Sequence, residues 1–213
     1  MAQLPIKLPT DTWVPATWNE YIQAVEDPDY VKAKSYYHDG KLRIEMVPIG
    51  NDHASDHTVI ILAIHLFAGI KGIDLNGKDN CTYRKAGIRE CQPDVSYYIG
   101  ANAGAIPWGT GIIDLDLYPA PNLAIEIANT SLSDDMGAKR LLYEDLGIDE
   151  YWVVDVQNAK ITAFAINAGG SHRITMSNVL PGLTISLLNE ALRRSRQSNH
   201  GQVSAWLLAQ FQQ

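Results

Sequence analysis

The sequence predicts an α/β domain in which a mixed β-sheet is covered by helices on both faces. The composition is globular, with 46% hydrophobic and 19% charged residues. The apolar and turn patterns give the order helix, hairpin, helix, several strands, helix, strands, and then a helical tail. The segment "LAIEIA" is apolar on both faces, which is typical of a buried central strand. At 213 residues the chain fits one domain, 1–213, with a core at about 17–188 and a helical tail at 189–213.

Local signals define the first three elements. Thr17 and Glu20 form a capping box that begins a helix. The segment "YYHDGKLRIEMVP" predicts a hairpin, because Asp39-Gly40 is a turn pair and apolar residues alternate with charged ones after it. A long apolar helix follows, from about His53 to Ile70.

The second half of the chain predicts strands and helices around the central strand. The predicted strands are "CTYRKAG", "CQPDVSYYI", the hairpin formed by "EYWVVDV" and "KITAFAI", and "HRITMS". Residues Gly100 to Pro121 are rich in glycine and proline, so we expect them outside the core. A helix is predicted over Asp134–Leu146, ended by Gly147, and two short helices after Leu187.

Charge and targeting signals narrow the class of protein. The chain has 24 Asp and Glu against 17 Lys and Arg, a net charge of −7, which argues against binding nucleic acid through bulk positive charge. An enzyme that meets nucleic acid through a local patch and a metal stays open. Cys81 and Cys91 are expected as free thiols, although a disulfide is possible. With no signal peptide and no apolar run long enough for a bilayer, we expect a cytoplasmic protein without membrane contact.

Glu126 lies in the middle of the predicted central strand. It shares its face with Ala124 and Ala128, while Leu123 and its apolar neighbours share the other face. A buried carboxylate must be paired, protonated or bound to a metal. A salt bridge is the simpler interpretation of a lone glutamate.

Lys139 falls on the inward side of the following helix. It lines up with Leu142, Tyr143 and Leu146, the apolar stripe that faces the sheet. Because the helix starts just after the Glu126 strand, the two side chains can meet. A structural ion pair and a functional site both explain such a pair.

Asp94 is the third candidate. Pro93 cannot donate a hydrogen bond to a sheet, so it belongs at a strand start or bulge. Asp94 is then delivered at the strand mouth, with Val95 on the opposite face. Taken alone, a turn or edge aspartate is the simpler interpretation.

Asp94, Glu126 and Lys139 together suit metal-dependent phosphodiester hydrolysis. Two carboxylates hold a hard cation such as Mg²⁺, with waters retained, and Mn²⁺ is a possible substitute. The metal lowers the pKa of a bound water, and a lysine orients that water or stabilises developing charge.

These segments resemble the Uma-type family of restriction-endonuclease-like proteins, in the PD-(D/E)XK nuclease superfamily. The resemblance runs from about Thr17 to Leu188 and is carried by "YYHDGKLRIEMVP", "QPDVSYY", "APNLAIEI" and "SLSDDMGAKRLLYEDLGIDEYWVVD". It implies a restriction-endonuclease-like fold, with Asp94 and Glu126 as metal ligands and the Ile127 carbonyl as a backbone ligand.

One departure concerns the lysine. The E-x-K pattern of the superfamily would place it at position 128, which is Ala128 here. The resemblance implies that Lys139 takes its place from the following helix. Glu45 and His53 are additional candidates near the metal, although a solvated hairpin residue and an exposed helix-start histidine explain them equally well. His53 and His57 also have a zinc-compatible i,i+4 spacing, which we do not favour without an H-E-x-x-H motif.

The sequence therefore predicts a Mg²⁺-dependent endonuclease acting on DNA, expected as a homodimer because double-strand cleavage needs two sites. The segment "SAWLLAQF" and the surroundings of Trp108 are the predicted contact surfaces. The alternative is a non-catalytic nucleic-acid-binding or oligomeric accessory protein that keeps the nuclease fold.

Overall fold

The computed structural model describes residues 7–46, 49–168 and 170–213. Residues 1–6 lie outside these ranges, and they belong to the N-terminal segment that was predicted not to be a signal peptide. Val47 and Pro48, at the end of the predicted hairpin, also lie outside them. The helices are α1 Trp18–Glu26, α2 Asn51–Lys71, α3 Leu132–Asp135, α4 Ala138–Leu146, α5 Ile185–Ser195 and α6 His200–Phe211. The strands are β1 Val14–Pro15, β2 Lys34–His38, β3 Lys41–Glu45, β4 Leu75–Asp79, β5 Tyr83–Lys85, β6 Arg89–Cys91, β7 Val95–Ile99, β8 Ile113–Asp114, β9 Leu123–Ala128, β10 Glu150–Asp155, β11 Lys160–Asn167 and β12 Gly170–Ile174.

The α/β class is confirmed, and the described strands are divided between two mixed sheets. Sheet A has the order β1-β3-β2-β6-β5-β8, and sheet B has the order β12-β11-β10-β9-β7-β4. Strand β9 lies inside sheet B, parallel to β10 and antiparallel to β7. All six of its residues are buried, as predicted for a central strand.

Sheet B separates two layers of the core. Leu123, Ile125 and Ile127 pack on the face covered by α2, α5 and α6. Ala124 and Ala128 face a second cluster that contains side chains of α4 and of sheet A. Helices therefore lie on both faces of sheet B, and sheet A shares the second face.

Most local predictions are confirmed. The Thr17–Glu20 capping box is formed in both directions. Asp39 and Gly40 have φ of +49° and +67°, the left-handed pair that a two-residue hairpin turn requires, and they join β2 to β3. Strands β10 and β11 form the predicted second hairpin. Both cysteines are free.

The prediction of one continuous helix over Asp134–Leu146 is wrong. The segment forms α3 and α4, separated at Gly137, whose φ and ψ are −112° and −100°. A Cβ atom at this position would lie 2.9 Å from the Ser133 carbonyl oxygen, so the break brings two backbone segments too close for a side chain. Gly147 ends α4 with φ +72°, as predicted.

The helical tail is part of the core. Helix α5 begins at Ile185, ahead of the predicted boundary at 189, and its Leu188 and Leu192 are buried against sheet B and α2. Arg196 pairs with both carboxylate oxygens of the buried Asp56 in α2, at 2.5 and 2.6 Å. This ion pair fixes the end of α5 to the core.

Helix α2 is the central helix of the larger core cluster. Among the described residues it alone has the length and apolar composition that crossing a bilayer requires, a test that core helices of soluble proteins also pass. Here its Val59, Ile60 and Ile64 are fully buried against sheet B and the tail helices.

Candidate active site

A cavity of about 590 Å³ lies between the β2–β3 hairpin of sheet A and the ends of β7 and β9 in sheet B. Helices α2 and α4 contribute residues from two further sides. The polar residues that line it include Lys34, Glu45, His53, Asp94, Glu126 and Lys139, together with Ile127. Every residue predicted for the metal and catalytic site therefore lines the same cavity.

The register of the sheet brings Asp94 opposite Glu126. Strands β7 and β9 pair with Val95 opposite Ile125, and one further residue along this register places the two acids across from each other. Both side chains are buried and line the same cavity. Directly opposed residues have Cβ atoms about 5 Å apart, so the two carboxylates share one face of sheet B.

The same register explains why the Ile127 carbonyl oxygen is available as a ligand. A second step along it places Pro93 opposite Ile127, and proline has no N–H to donate. The N–H groups of Glu150 and Val156 donate to the carbonyls of Asn122 and Ala128, which therefore point toward β10. Carbonyls alternate in direction along a strand, so the Ile127 carbonyl points the other way, toward Asp94.

Asp94 is held by three donors. Its Oδ2 accepts a hydrogen bond from the Ile127 N–H at 2.7 Å and lies 3.4 Å from His53 Nε2. Its Oδ1 forms a short ion pair with Lys34 Nζ. Burial alone would raise the pKa of Asp94, but the contacts with His53 and Lys34 hold it well below its usual value. Asp94 is therefore ionised at neutral pH.

Glu126 is held through one oxygen. Tyr143 donates to Oε1 at 2.6 Å, and the Tyr36 hydroxyl lies 3.2 Å from the same atom. Lys139 Nζ is 3.7 Å from it. Burial raises the pKa of Glu126 to about 8; Lys139 opposes this rise, and the charge of Asp94 adds to it. The contacts of Glu126 with other described residues thus leave Oε2 for a further partner.

Lys139 is fully buried among acids. Its Nζ lies 2.8 Å from Glu45 Oε1 and 2.9 Å from Asp135 Oδ1, in addition to its contact with Glu126. The Tyr36 ring is 4.2 Å from Nζ. Burial alone would lower the pKa of Lys139, but these carboxylates raise it, so the lysine is charged. It is a fixed positive charge, not a proton acceptor.

The donor set suits a hard divalent cation held largely by water. No group of three or more His, Cys, Asp or Glu side chains has metal-binding geometry within the described ranges. A Mg²⁺ ion needs only one or two carboxylates and keeps several waters, and Asp94 and Glu126 supply the oxygen ligands that it prefers. Burial raises the pKa of Glu126 and the charge of Asp94 adds to the rise, so a bound cation would favour the ionised form of this carboxylate.

The comparisons with known proteins agree with this architecture. A family model described as "Uma2: Putative restriction endonuclease" matches residues 18–197. The chain belongs to the Uma2 family. A crystal structure described as a putative nuclease belonging to DUF820, from Anabaena variabilis, has a TM-score of 0.60 at 17% identity over 84% of this chain and 99% of that one, a likeness of fold. A comparison with curated proteins gave no match.

The Uma2 match covers α1 through α5 and confirms the family resemblance predicted from the sequence. The roles of Asp94, Glu126, Lys139, Glu45 and His53 remain predictions.

Sequence reasoning gave no role in the site to four residues that shape this Uma2 site. Helical spacing placed Asp135 and Tyr143 on the same side as Lys139, but their contacts with Lys139 and Glu126 were not predicted. Lys34 and Tyr36 come from β2, far away in sequence, and no local signal marks them. The two histidines of the zinc pair that we did not favour have ring centroids 6.1 Å apart, but they approach different acids: His53 approaches Asp94, whereas His57 approaches Asp79.

Proposed function

We propose that this Uma2-family protein is a metal-dependent endonuclease that hydrolyses phosphodiester bonds in DNA, with Mg²⁺ as its cofactor and Mn²⁺ as a substitute. The observation that carries the proposal is the contact of the buried Lys139 with the buried Glu126, in a cavity that Asp94 also lines. Burial of two acids and a base is costly, and a catalytic site is a reason to retain it.

The residues that would hold the cation are Asp94, Glu126 and the Ile127 carbonyl. A bound Mg²⁺ would lower the pKa of a water and neutralise charge on the phosphate. The backbone N–H of Ile127 orients Asp94 through Oδ2. Tyr36 and Tyr143 orient Glu126 through Oε1.

Lys139 would stabilise negative charge that develops on the phosphate. Glu45 and Asp135 fix its ammonium from two sides, so little reorganisation is needed during the reaction. Arg43 in turn holds Glu45, with Nε 2.8 Å from Oε1. The positive charge is therefore positioned before substrate arrives.

Glu126→Gln tests the proposal most directly. The amide keeps the shape and a hydrogen-bonding oxygen but removes a carboxylate whose ionised form is unfavourable here. We expect cleavage of plasmid DNA with Mg²⁺ to fall by about 10²-fold or more, and the Mg²⁺-induced rise in melting temperature to disappear. Without metal, the melting temperature should stay the same or increase.

Lys139→Met is the second variant that tests the proposal. It leaves Glu45, Asp135 and Glu126 without their shared cation, so the metal-free melting temperature should fall. Activity should also fall by about 10²-fold, the scale of one preorganised stabilising group, while Mg²⁺ binding persists. Arg140→Met is the matched control, because Arg140 lies on the same helix and contacts Ser171 and Glu144 outside the cavity.

The accessory-protein alternative gives the opposite pattern. The ion pairs around Lys139 also have a purely structural interpretation, and the net charge of −7 does not favour nucleic-acid binding. In that case the wild type cleaves no DNA, Mg²⁺ does not raise its melting temperature, and Glu126→Gln is destabilised. That result would reject the nuclease proposal.

A further inference from the structure

The cavity-facing contact of Asp94 is made by a side chain that is partly exposed. Lys34 reaches Oδ1 from the start of β2, and its side chain is 18% exposed, whereas that of Asp94 is 6% exposed. The other oxygen, Oδ2, is bonded to the Ile127 backbone, which the sheet holds in place. A cation that binds Asp94 must therefore compete with Lys34 rather than with the backbone.

We propose that Lys34 occupies Asp94 until a divalent cation displaces it, and that the released ammonium then binds a phosphate of the substrate. The inference rests on the proposed function and adds an order of binding, with the cation first and the phosphate second. Lysine suits this role because its ammonium is a compact charge on a flexible stem of four carbons.

The other cations that line the cavity cannot respond in this way. Lys139 is fixed by buried acids, and Arg43 is shared by Glu45 and Asp134. Lys32 lines the cavity mouth and forms no ion pair with any described residue. Within the described part of the chain, Lys34 is thus the partly exposed cavity lysine whose partner is a predicted metal ligand, whereas Lys139, which contacts Glu126, is buried.

The electrostatic consequence is a change in sign at the cavity wall. Without metal, Asp94 and Lys34 neutralise each other, and the acidic protein offers little attraction to a polyanion. With a cation on Asp94, the charge of Lys34 becomes available as well. The attraction for phosphate therefore increases by more than the charge of the ion alone.

Metal affinity is the first measurement. Titration calorimetry with Mg²⁺ alone should show that Lys34→Gln binds the ion about tenfold more tightly than wild type, since no charge-assisted hydrogen bond has to be broken. Lys32→Gln, the matched control, should bind Mg²⁺ as wild type does. Lys34→Arg retains the charge and offers more donors to Asp94, so it should bind Mg²⁺ more weakly than wild type.

The salt dependence of oligonucleotide binding is the second measurement. The probe is a fluorescein-labelled single strand, with Ca²⁺ as a hard cation that takes the same oxygen ligands. With Ca²⁺, Lys34→Gln should lower the slope of log affinity against log salt by about 0.7, the loss of one phosphate contact on a single strand. Without Ca²⁺ the slope should equal that of wild type. Lys32→Gln should change the slope equally in both conditions, if at all.

Each outcome decides a different point. Lys34→Gln with unchanged Mg²⁺ affinity, or with the same loss of slope with and without Ca²⁺, would overturn this inference and leave the nuclease proposal standing. A Lys34→Arg variant that binds Mg²⁺ more tightly than wild type would also overturn the inference. This variant provides the test of metal affinity if Lys34→Gln does not fold. Wild-type protein that binds no Mg²⁺ would reject both proposals.

Discussion

Burial raises the pKa of Glu126 to about 8, so protons should compete with the proposed cation for this carboxylate. Below that pH the free site holds a proton that the cation would have to displace. We therefore predict that Mg²⁺ affinity rises with pH from about 6.5 to 8 and levels off above 8. Calorimetry across this range measures it, with proton release detected by comparing two buffers of different ionisation enthalpy.

In the metal-free protein, the raised pKa of Glu126 should make the free energy of unfolding depend on pH. Between the ordinary pKa of 4.5 and about 8, the folded chain keeps the Glu126 proton that the unfolded chain has released. This residue's contribution to stability therefore falls as pH rises through that window and is constant above it. Glu126→Gln should remove the contribution, and an unchanged pH profile in the variant would contradict the raised pKa.

Individual residues were predictable where periodicity alone decides the direction of a side chain. Strand alternation placed Glu126 away from Ile125 and Ile127, and helical spacing placed Lys139 on the inward stripe. Lys34 was not predictable, because its contact with Asp94 depends on how sheet A docks against sheet B. No spacing within the chain encodes that docking.

At the scale of elements, the break between α3 and α4 positions Lys139. Gly137→Ala introduces a Cβ atom 2.9 Å from the Ser133 carbonyl oxygen, closer than a side-chain carbon can approach. We predict a loss of about 1–3 kcal/mol in the free energy of unfolding, because the backbone must shift. Cleavage should fall as well, since the shift moves Lys139 relative to Asp135.

The control for this substitution lies in α2. Gly69 is exposed within a regular helix, and nothing lies within 4 Å of an added Cβ atom. Gly69→Ala should therefore stabilise the protein by up to about 1 kcal/mol. Urea unfolding of both variants measures the difference. Equal effects at the two positions would show that the α3–α4 break imposes no strain.

Elements with strong local signals were predicted well, and their long-range pairing was not. Capping boxes and turn pairs act within a few residues, so α1 and the β2–β3 hairpin follow from the sequence. The division into two sheets depends on the pairing of β2 with β6, which contact at Tyr37 and Glu90. The α3–α4 break was missed because a single glycine costs a helix only about 1 kcal/mol and is often tolerated.

At the scale of the whole molecule, we predict a C₂ homodimer that uses the segment around Trp108. Trp108 is fully exposed, and Ile112 and Leu117 are exposed near it in the sequence. The "SAWLLAQF" segment is a weaker surface than the sequence suggested, because its Leu207 and Phe211 are buried against the core.

Light scattering at micromolar concentration measures the assembly. The wild type should have the mass of two chains, and Trp108→Ser should shift it toward one. The Trp108→Ser variant should still cut one strand of a DNA duplex, because Trp108 does not line the cavity. A monomeric wild type, or a dimer unaffected by this substitution, would place the interface elsewhere or remove it.

The cluster of acids around Lys139 also constrains how this site can be lost over evolutionary time. A lineage that first replaced the lysine would leave the buried Glu126 and Asp135, and the partly buried Glu45, without their shared cation, and the protein would be destabilised. A lineage that first replaced one acid would leave the base with two partners. Inactive descendants should therefore retain the lysine after an acid has gone, and a relative that keeps all three acids but lacks the lysine should be rare.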